Sequence, residues 1–261
     1  LPILARDNQI QLQIINPTGQ LSILRFNATQ PPFDNAEIRR AVMMSVNQED
    51  YMLAVFGGDR SRWSTCYSLF PHGTPYYSEA GAELLKGSHD SAAVRSALNK
   101  AGYKGERVVV LNPSDNPALE PFGQVTYANL KNAGMNVELR ESDWASIIKD
   151  RTNRGPVSQG GWSIFHSFGS GALCSTPATS PLVRGLGASG WYGWWQDVEV
   201  EKLVQTWLYS TSDTEKAKLA GEINVRALQG AGTIPLGQSF VTTAFRKGIT
   251  GVLQGNGAYP W

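Results

Sequence analysis

The stretch Leu21 to Phe56, LSILRFNATQPPFDNAEIRRAVMMSVNQEDYMLAVF, decides how the chain is read. It opens as a strand. Leu21, Ile23, Leu24 and Phe26 put apolar groups on both faces, the pattern of a strand covered on both sides. Asn27 to Pro32 interrupts it, because the paired prolines lack donors and fix φ. Asp34, with Glu37 three residues on, reads as a helix start of capping-box type. The helix then places Ile38, Ala41, Val42, Ser45 and Val46 on one face. Asn47 caps a second short helix. That helix turns Tyr51, Met52, Val55 and Phe56 inward and stops at Gly57-Gly58.

Downstream the same alternation continues. Asp90 starts a helix with Ala93, Val94, Ala97, Leu98 and Ala101 on one face, and Gly102 ends it. A strand follows over Arg107 to Leu111, then a helix from about Ala118 to Ala133 with Gly134 as its stop. The strand Asn136 to Glu141 alternates, with Val137 and Leu139 on the covered side. Asp143-Trp144 leads into a short helix, and GWSIFHSF, Gly161 to Phe168, reads as another strand. Ser167 to Gly193 is long, polar and without periodicity. Loops of that length inside a compact domain are usually functional. Asp197 caps a helix with Val200, Leu203, Val204, Trp207 and Leu208 inward, and Ser212 with Glu215 opens the next. Thr233 to Val241 is the last expected strand. Strands alternating with helices predict an α/β fold with a sheet flanked by helices.

A chain of 261 residues is long enough for one large domain. Its net charge is only +1, so neither nucleic acid nor an acidic partner is expected. No apolar run is long enough to span a bilayer. Beginning at Leu1 without Met suits a processed protein or an excised piece. Eight Trp and nine Tyr are many for this length; such density lines a ligand face or fills a core.

The residues that carry chemistry are scattered. His72, His89 and His166 lie far apart, with no His-x-x-x-His pair and no Cys-x-x-Cys, so neither a metal nor another cofactor is expected. There is no Gly-x-Ser-x-Gly elbow; Gly169-Ser170-Gly171 lacks the flanking geometry. Gly185-Leu186-Gly187 is no phosphate loop. Asp and Glu mostly stand at helix starts, where capping explains them. An α/β hydrolase-like or glycan-active enzyme with dispersed catalytic residues is the alternative. It would show titratable groups converging in one pocket. A docking domain would instead leave a flat face. What remains is binding, and not catalysis.

The segment FNATQPPFDNAEIRRAVMMSVNQEDYM resembles the entry to the second lobe of bacterial extracytoplasmic solute-binding proteins, the peptide- and nickel-binding family that feeds ABC importers. Phe26, Asn27, Pro31, Pro32, Phe33, Asp34, Arg39 and Ala41 carry the match. VRSALNKAGY, the Asp143-Trp144 unit, and Ile234, Pro235 and Leu236 match further along. The resemblance implies a lobe of the type II periplasmic-binding-protein fold. Residues 1–20 would be the tail of a first lobe and a hinge crossing, 21–241 the second lobe, and 242–261 the return crossing. It implies a substrate-binding component, in the periplasm or otherwise outside the cytoplasmic membrane, that closes on a small solute, peptide or peptide-like. Its partners would be that solute, a membrane-bound ABC permease and the missing first lobe, and the protein would be a monomer.

Gly161 to Ser175 and Trp191 to Trp195 resemble the family's ligand-facing parts. The candidate ligand-binding residues are therefore Trp162, His166, Phe168, Cys174, Trp191, Tyr192 and Trp194. At least one of Trp191, Trp194 and Trp195 is expected to be core. Relatives often carry a disulfide in this lobe, which makes Cys66 and Cys174 a candidate pair; the other reading is two free buried thiols. Closing that loop would contribute about 4 kcal/mol in the chain-entropy picture. Many peptide-binding relatives have an Asp after this strand that pairs with the peptide's α-amino group. Here the stretch reads GSGALCSTPATS, with no acid between Gly161 and Asp197. A buried ammonium would lack its strongest partner, so a ligand without one, or one anchored by the missing lobe, is expected.

Overall fold

The computed structural model describes residues 2–87 and 89–255. In chain order come α1 (Pro2–Ala5), β1 (Ile10–Ile14), β2 (Gln20–Phe26), α2 (Ala36–Met43), α3 (Gln48–Phe56) and β3 (Trp63–Ser64). Next are α4 (Ser91–Lys100), β4 (Val108–Pro113), α5 (Glu120–Asn132), β5 (Val137–Ser142), α6 (Trp144–Asp150) and β6 (Ile164–Ser170). Then follow α7 (Val198–Tyr209), α8 (Asp213–Gly230), β7 (Thr233–Ser239) and β8 (Thr242–Arg246).

The main sheet has six strands in the spatial order β3–β7–β2–β6–β4–β5. It is mixed. β4 runs parallel to β5 and β6, while β2 is antiparallel to both β6 and β7. This is the α/β fold that the alternating pattern predicts. The inner strands are sealed on both faces: every residue of β4 and β7 is buried, and so is all of β2 after Gln20. One face packs Val108, Val110 and Ile164 into the large core beneath α2, α3, α5 and α8. The other face packs Val109, Leu111 and Phe165 with Ile147, Trp162 and Trp194 in a smaller cluster.

Local capping sets the helix starts. Asn47, Asp90, Asp197 and Ser212 each accept a bond from a backbone N–H of the first turn. The first cap falls elsewhere than expected. Asn35, not Asp34, accepts from the Glu37 N–H. The turn after the prolines runs one residue further, with the Asn35 N–H bonded to the Pro32 carbonyl. The strand expected at Gly161 starts later, at Ile164. Gly161 closes a turn on Pro156 instead, and a Cβ there would lie 1.9 Å from the Gly155 carbonyl oxygen.

β1 and β8 form a separate two-stranded antiparallel ribbon, Ile10 opposite Arg246 and Ile14 opposite Thr242. It leads straight into the main sheet, where Gln20 is paired with Ser239. The last part of the expected return crossing, 256–261, lies outside the described residues.

Candidate functional site

The strand directions gather one set of loops. Because β4, β5 and β6 are parallel and β2 is antiparallel to its neighbours, Pro113, Ser142, Ser170, Gln20 and Ser239 all lie on one edge. In open α/β sheets, ligands sit outside the carboxyl ends of the parallel strands. The ribbon leaves the sheet from that same edge. Gln238 ties it together: its side-chain amide donates to the Thr18 and His72 carbonyls, and its oxygen accepts from the His72 N–H.

The loop after β6 is crowded at Gly171. The Gly171 N–H donates to the Gly19 carbonyl at 2.8 Å. A Cβ on Gly171 would meet the Thr18 side chain at about 2.4 Å. No side chain fits there without moving the loop. The neighbouring wall is polar and apolar but uncharged, with Ser170, Ala172 and Leu173 exposed. Two carboxylates follow the parallel strands on this edge: Asp115 after β4 accepts from the Trp144 N–H at 2.7 Å, and Asp143 after β5 caps α6 by accepting from the Ser146 N–H at 3.0 Å.

Trp144 leads from that edge to a cluster of rings. Trp162 is fully buried, 5.1 Å from Phe165 and 5.9 Å from Trp194 between ring centroids. Trp191 stands 5.5 Å from Phe165 and 6.2 Å from Tyr192. Trp144, Trp191 and Tyr192 are half-buried and form the open side. Arginines are set among them. Arg25 is buried within β2, donates through Nε to the Tyr192 carbonyl at 2.8 Å and through a terminal nitrogen to the Thr233 hydroxyl. Burial, and secondarily the nearby Arg39 charge, lowers its pKa to about 9. Arg151 lies over Tyr192, and Arg154 over Trp194 at 4.6 Å.

The candidate residues are thus not one group. Trp162, Trp191, Tyr192 and Trp194 share the ring cluster. Trp162 and Trp194 are sealed within it, and Trp191 and Tyr192 reach its surface. Trp194 and Trp195 are core, as expected of at least one. His166 points to the opposite face. It is fully buried, bonded through Nε2 to Thr126 Oγ1 at 2.8 Å, and Thr126 Oγ1 is 2.9 Å from the Tyr51 hydroxyl. Burial alone holds its pKa down to about 3, so it stays neutral. Phe168 is half-buried toward the carboxyl edge and packs on Phe122.

Cys174 is buried behind that edge, and Cys66 is buried near the Ser68 and Phe70 carbonyls. Both are free thiols in the structure, and burial pushes each up to about 12. Arg25, Trp144 and Arg151 were absent from the sequence candidates. For Arg25 there was a signal, a charge inside an otherwise apolar strand.

A cavity of about 690 Å³ lies between the ribbon and the loop before β3, lined by Leu12, Ile14, Asp59, Arg62 and Thr242. It has no aromatic wall, so size alone does not make it the ligand site. Among the described residues, no group of His, Cys, Asp and Glu is arranged to hold a metal. No helix among them is long and apolar enough to cross a membrane.

Residues 2–180 match the family model described as bacterial extracellular solute-binding proteins, family 5 Middle. The chain is 30% identical over 253 residues to the probable peptide ABC transporter periplasmic-binding protein y4tO of Sinorhizobium fredii, covering 97% of this chain and 48% of that one. It superposes on the dipeptide binding protein of Pseudoalteromonas sp. SM9913, solved with Met-Leu, at a TM-score of 0.77 and 19% identity, covering 98% of this chain and 50% of the other. The ABC transporter-associated periplasmic binding protein DppA of Helicobacter pylori, solved with the peptide STSA, gives the same TM-score of 0.77 at 14% identity, covering 99% and 49%. This chain therefore spans about half the length of the curated relatives it matches along nearly its whole length. By sequence and by fold, it belongs to family 5 of the bacterial extracellular solute-binding proteins.

Proposed function

We propose that this chain is the second lobe of a two-lobed solute-binding component of an ABC importer. It captures a small solute, peptide or peptide-like, outside the cytoplasmic membrane and delivers it to a membrane permease. The observation that carries this reading is the shared edge: the ribbon β1–β8 leaves the sheet where the carboxyl ends of the parallel strands gather. A lobe hinged there faces its partner with its ligand loops. Family membership supports the same reading, as do relatives named for peptide binding.

The mechanism is hinge closure. Ligand contacts to both lobes favour the closed state, and no bond is made or broken. One lobe holds only part of the contacts, so the chain alone binds weakly; tight binding by it would overturn the half-site idea. The stretch from Gly161 to Gln196 holds no acid to receive a free ammonium at the end of β6.

The test is thermal shift on the two-lobed protein with di- to pentapeptides, their N-acetylated copies and non-peptide solutes. Stabilisation grows with ligand concentration over Kd. Free and acetylated peptides should stabilise alike. Response to free peptides only would mean that another acid reads the ammonium. If only non-peptide solutes act, the peptide class falls and solute binding stands.

A further inference from the structure

Arg151 is a cation with no anion opposite it. Its guanidinium carbon lies 4.6 Å from the Tyr192 ring centroid, 5.8 Å from Phe165 and 6.0 Å from Trp144. Its Nε is buried without a hydrogen-bond partner. No ion pair among the described residues includes it. Burial draws its pKa below the usual arginine value, and the one group offsetting this is Tyr192, through charge and a side-chain hydrogen bond, so Arg151 has a neutral partner but no carboxylate. Arg25 and Arg154 add charge of the same sign beside Trp191 and Trp194, and neither has an acidic partner. Ring stacking engages the faces of a guanidinium and leaves its in-plane donors for an acceptor. That fork matches a carboxylate, and the half-desolvated setting strengthens the attraction, while the acids nearest this wall, Asp115 and Asp143, are engaged by the Trp144 and Ser146 N–H groups.

We propose that Arg151 is the receptor for an anionic group, a carboxylate, whose planar or apolar body lies on Trp144, Trp191 and Tyr192. The proposal rests on the solute-binding reading for the origin of that carboxylate, and on the ring geometry for the site itself. It also inverts the charge requirement of this lobe. Where an acid would read an ammonium, this lobe offers a guanidinium to the opposite end of a solute, or to an acidic solute lacking any amine.

The test uses the 261-residue chain, labelled with nitrogen-15, and reads the arginine Nε–H signals at low ionic strength. Arg151→Lys assigns the signal by its loss. The probes are 4-hydroxyphenylacetate and the matched amide, 4-hydroxyphenylacetamide. A charge-assisted bond to the acid should make it bind about tenfold more tightly than the amide. The Arg151 signal should move saturably with the acid, together with tryptophan indole signals, and added salt should weaken the effect. Arg151→Met should erase the preference while still melting cooperatively. Equal movement with acid and amide, or none with either, overturns the anion site. If the acid acts here while no solute stabilises the two-lobed protein, the transport reading falls and the site survives. The converse pattern removes the site and keeps the transport reading.

Discussion

The two faces of β6 bury polar groups in opposite ways. Under α5, Tyr51, Thr126 and His166 form a chain of neutral groups sealed from water. On the other face, Arg25 and Arg151 keep their charges among rings, and part of that cluster is open. A buried neutral network specifies packing, here with only the His166 Nδ1 left without a hydrogen-bond partner. Charged groups without counter-ions at a half-open wall are costly to fold and useful to bind. The difference separates a face of the sheet that is sealed around neutral groups from one whose charged groups lie among rings that reach the surface.

The contrast within the ring cluster is the largest to test. Trp162→Ala should cost about 3–5 kcal/mol, because it empties a sealed site. Trp191→Ala, at the open side, should cost about 1–2 kcal/mol. Urea midpoints at constant slope measure both, and equal losses would erase the distinction between sealed and open rings.

Arg25 comes next. Arg25→Ala should lose about 3 kcal/mol, since it leaves a cavity and strands the Tyr192 carbonyl. Arg25→Met should lose less than half as much, because it fills the space and removes a buried charge. Chemical denaturation of the pair decides whether volume or charge dominates.

His166 gives a pH signature on the neutral face. Its folded pKa, about 3, lies below the ordinary value of 6.5. Between those values the unfolded chain binds more protons, so this contribution is whole above pH 6.5 and is lost as pH falls toward 3. Stability measured against pH should therefore fall less steeply in His166→Gln than in the parent. Parallel curves would mean that the imidazole is solvated.

The smallest effect belongs to Tyr51→Phe, which removes one hydrogen bond to Thr126 and should cost about 1 kcal/mol. A loss several times larger would show the chain of groups acting as a unit.

Legibility in the sequence followed the range of the interactions. Asn47, Asp90, Asp197 and Ser212 cap helices through bonds two or three residues away, and their identity is enough to place them. Asp34 misled because the proline turn extends to Asn35, which is a matter of backbone path. The ring cluster was half legible. The run of tryptophans marked it, but which rings are sealed depends on Arg25, far away in the chain, holding the Tyr192 carbonyl. Trp144 reaches the site through the parallel register of β4 and β5, where Pro113 lies beside Ser142. No local pattern reports that. Arg151 was invisible for a simpler reason: a basic residue at a helix C-terminus is favoured by the helix dipole and needs no other role, and only the surrounding rings make it unusual.

The ribbon β1–β8 has a mechanical consequence. Two strands cross-linked by backbone hydrogen bonds resist stretching and shear, yet a two-stranded ribbon twists and flexes more readily than a wide sheet. It behaves as a leaf spring. Whatever it is joined to can swing about the ribbon's width but cannot slide along it. Under the proposed hinge closure, each swing would return the loops at Gly19, Gly171 and His72 to the same alignment.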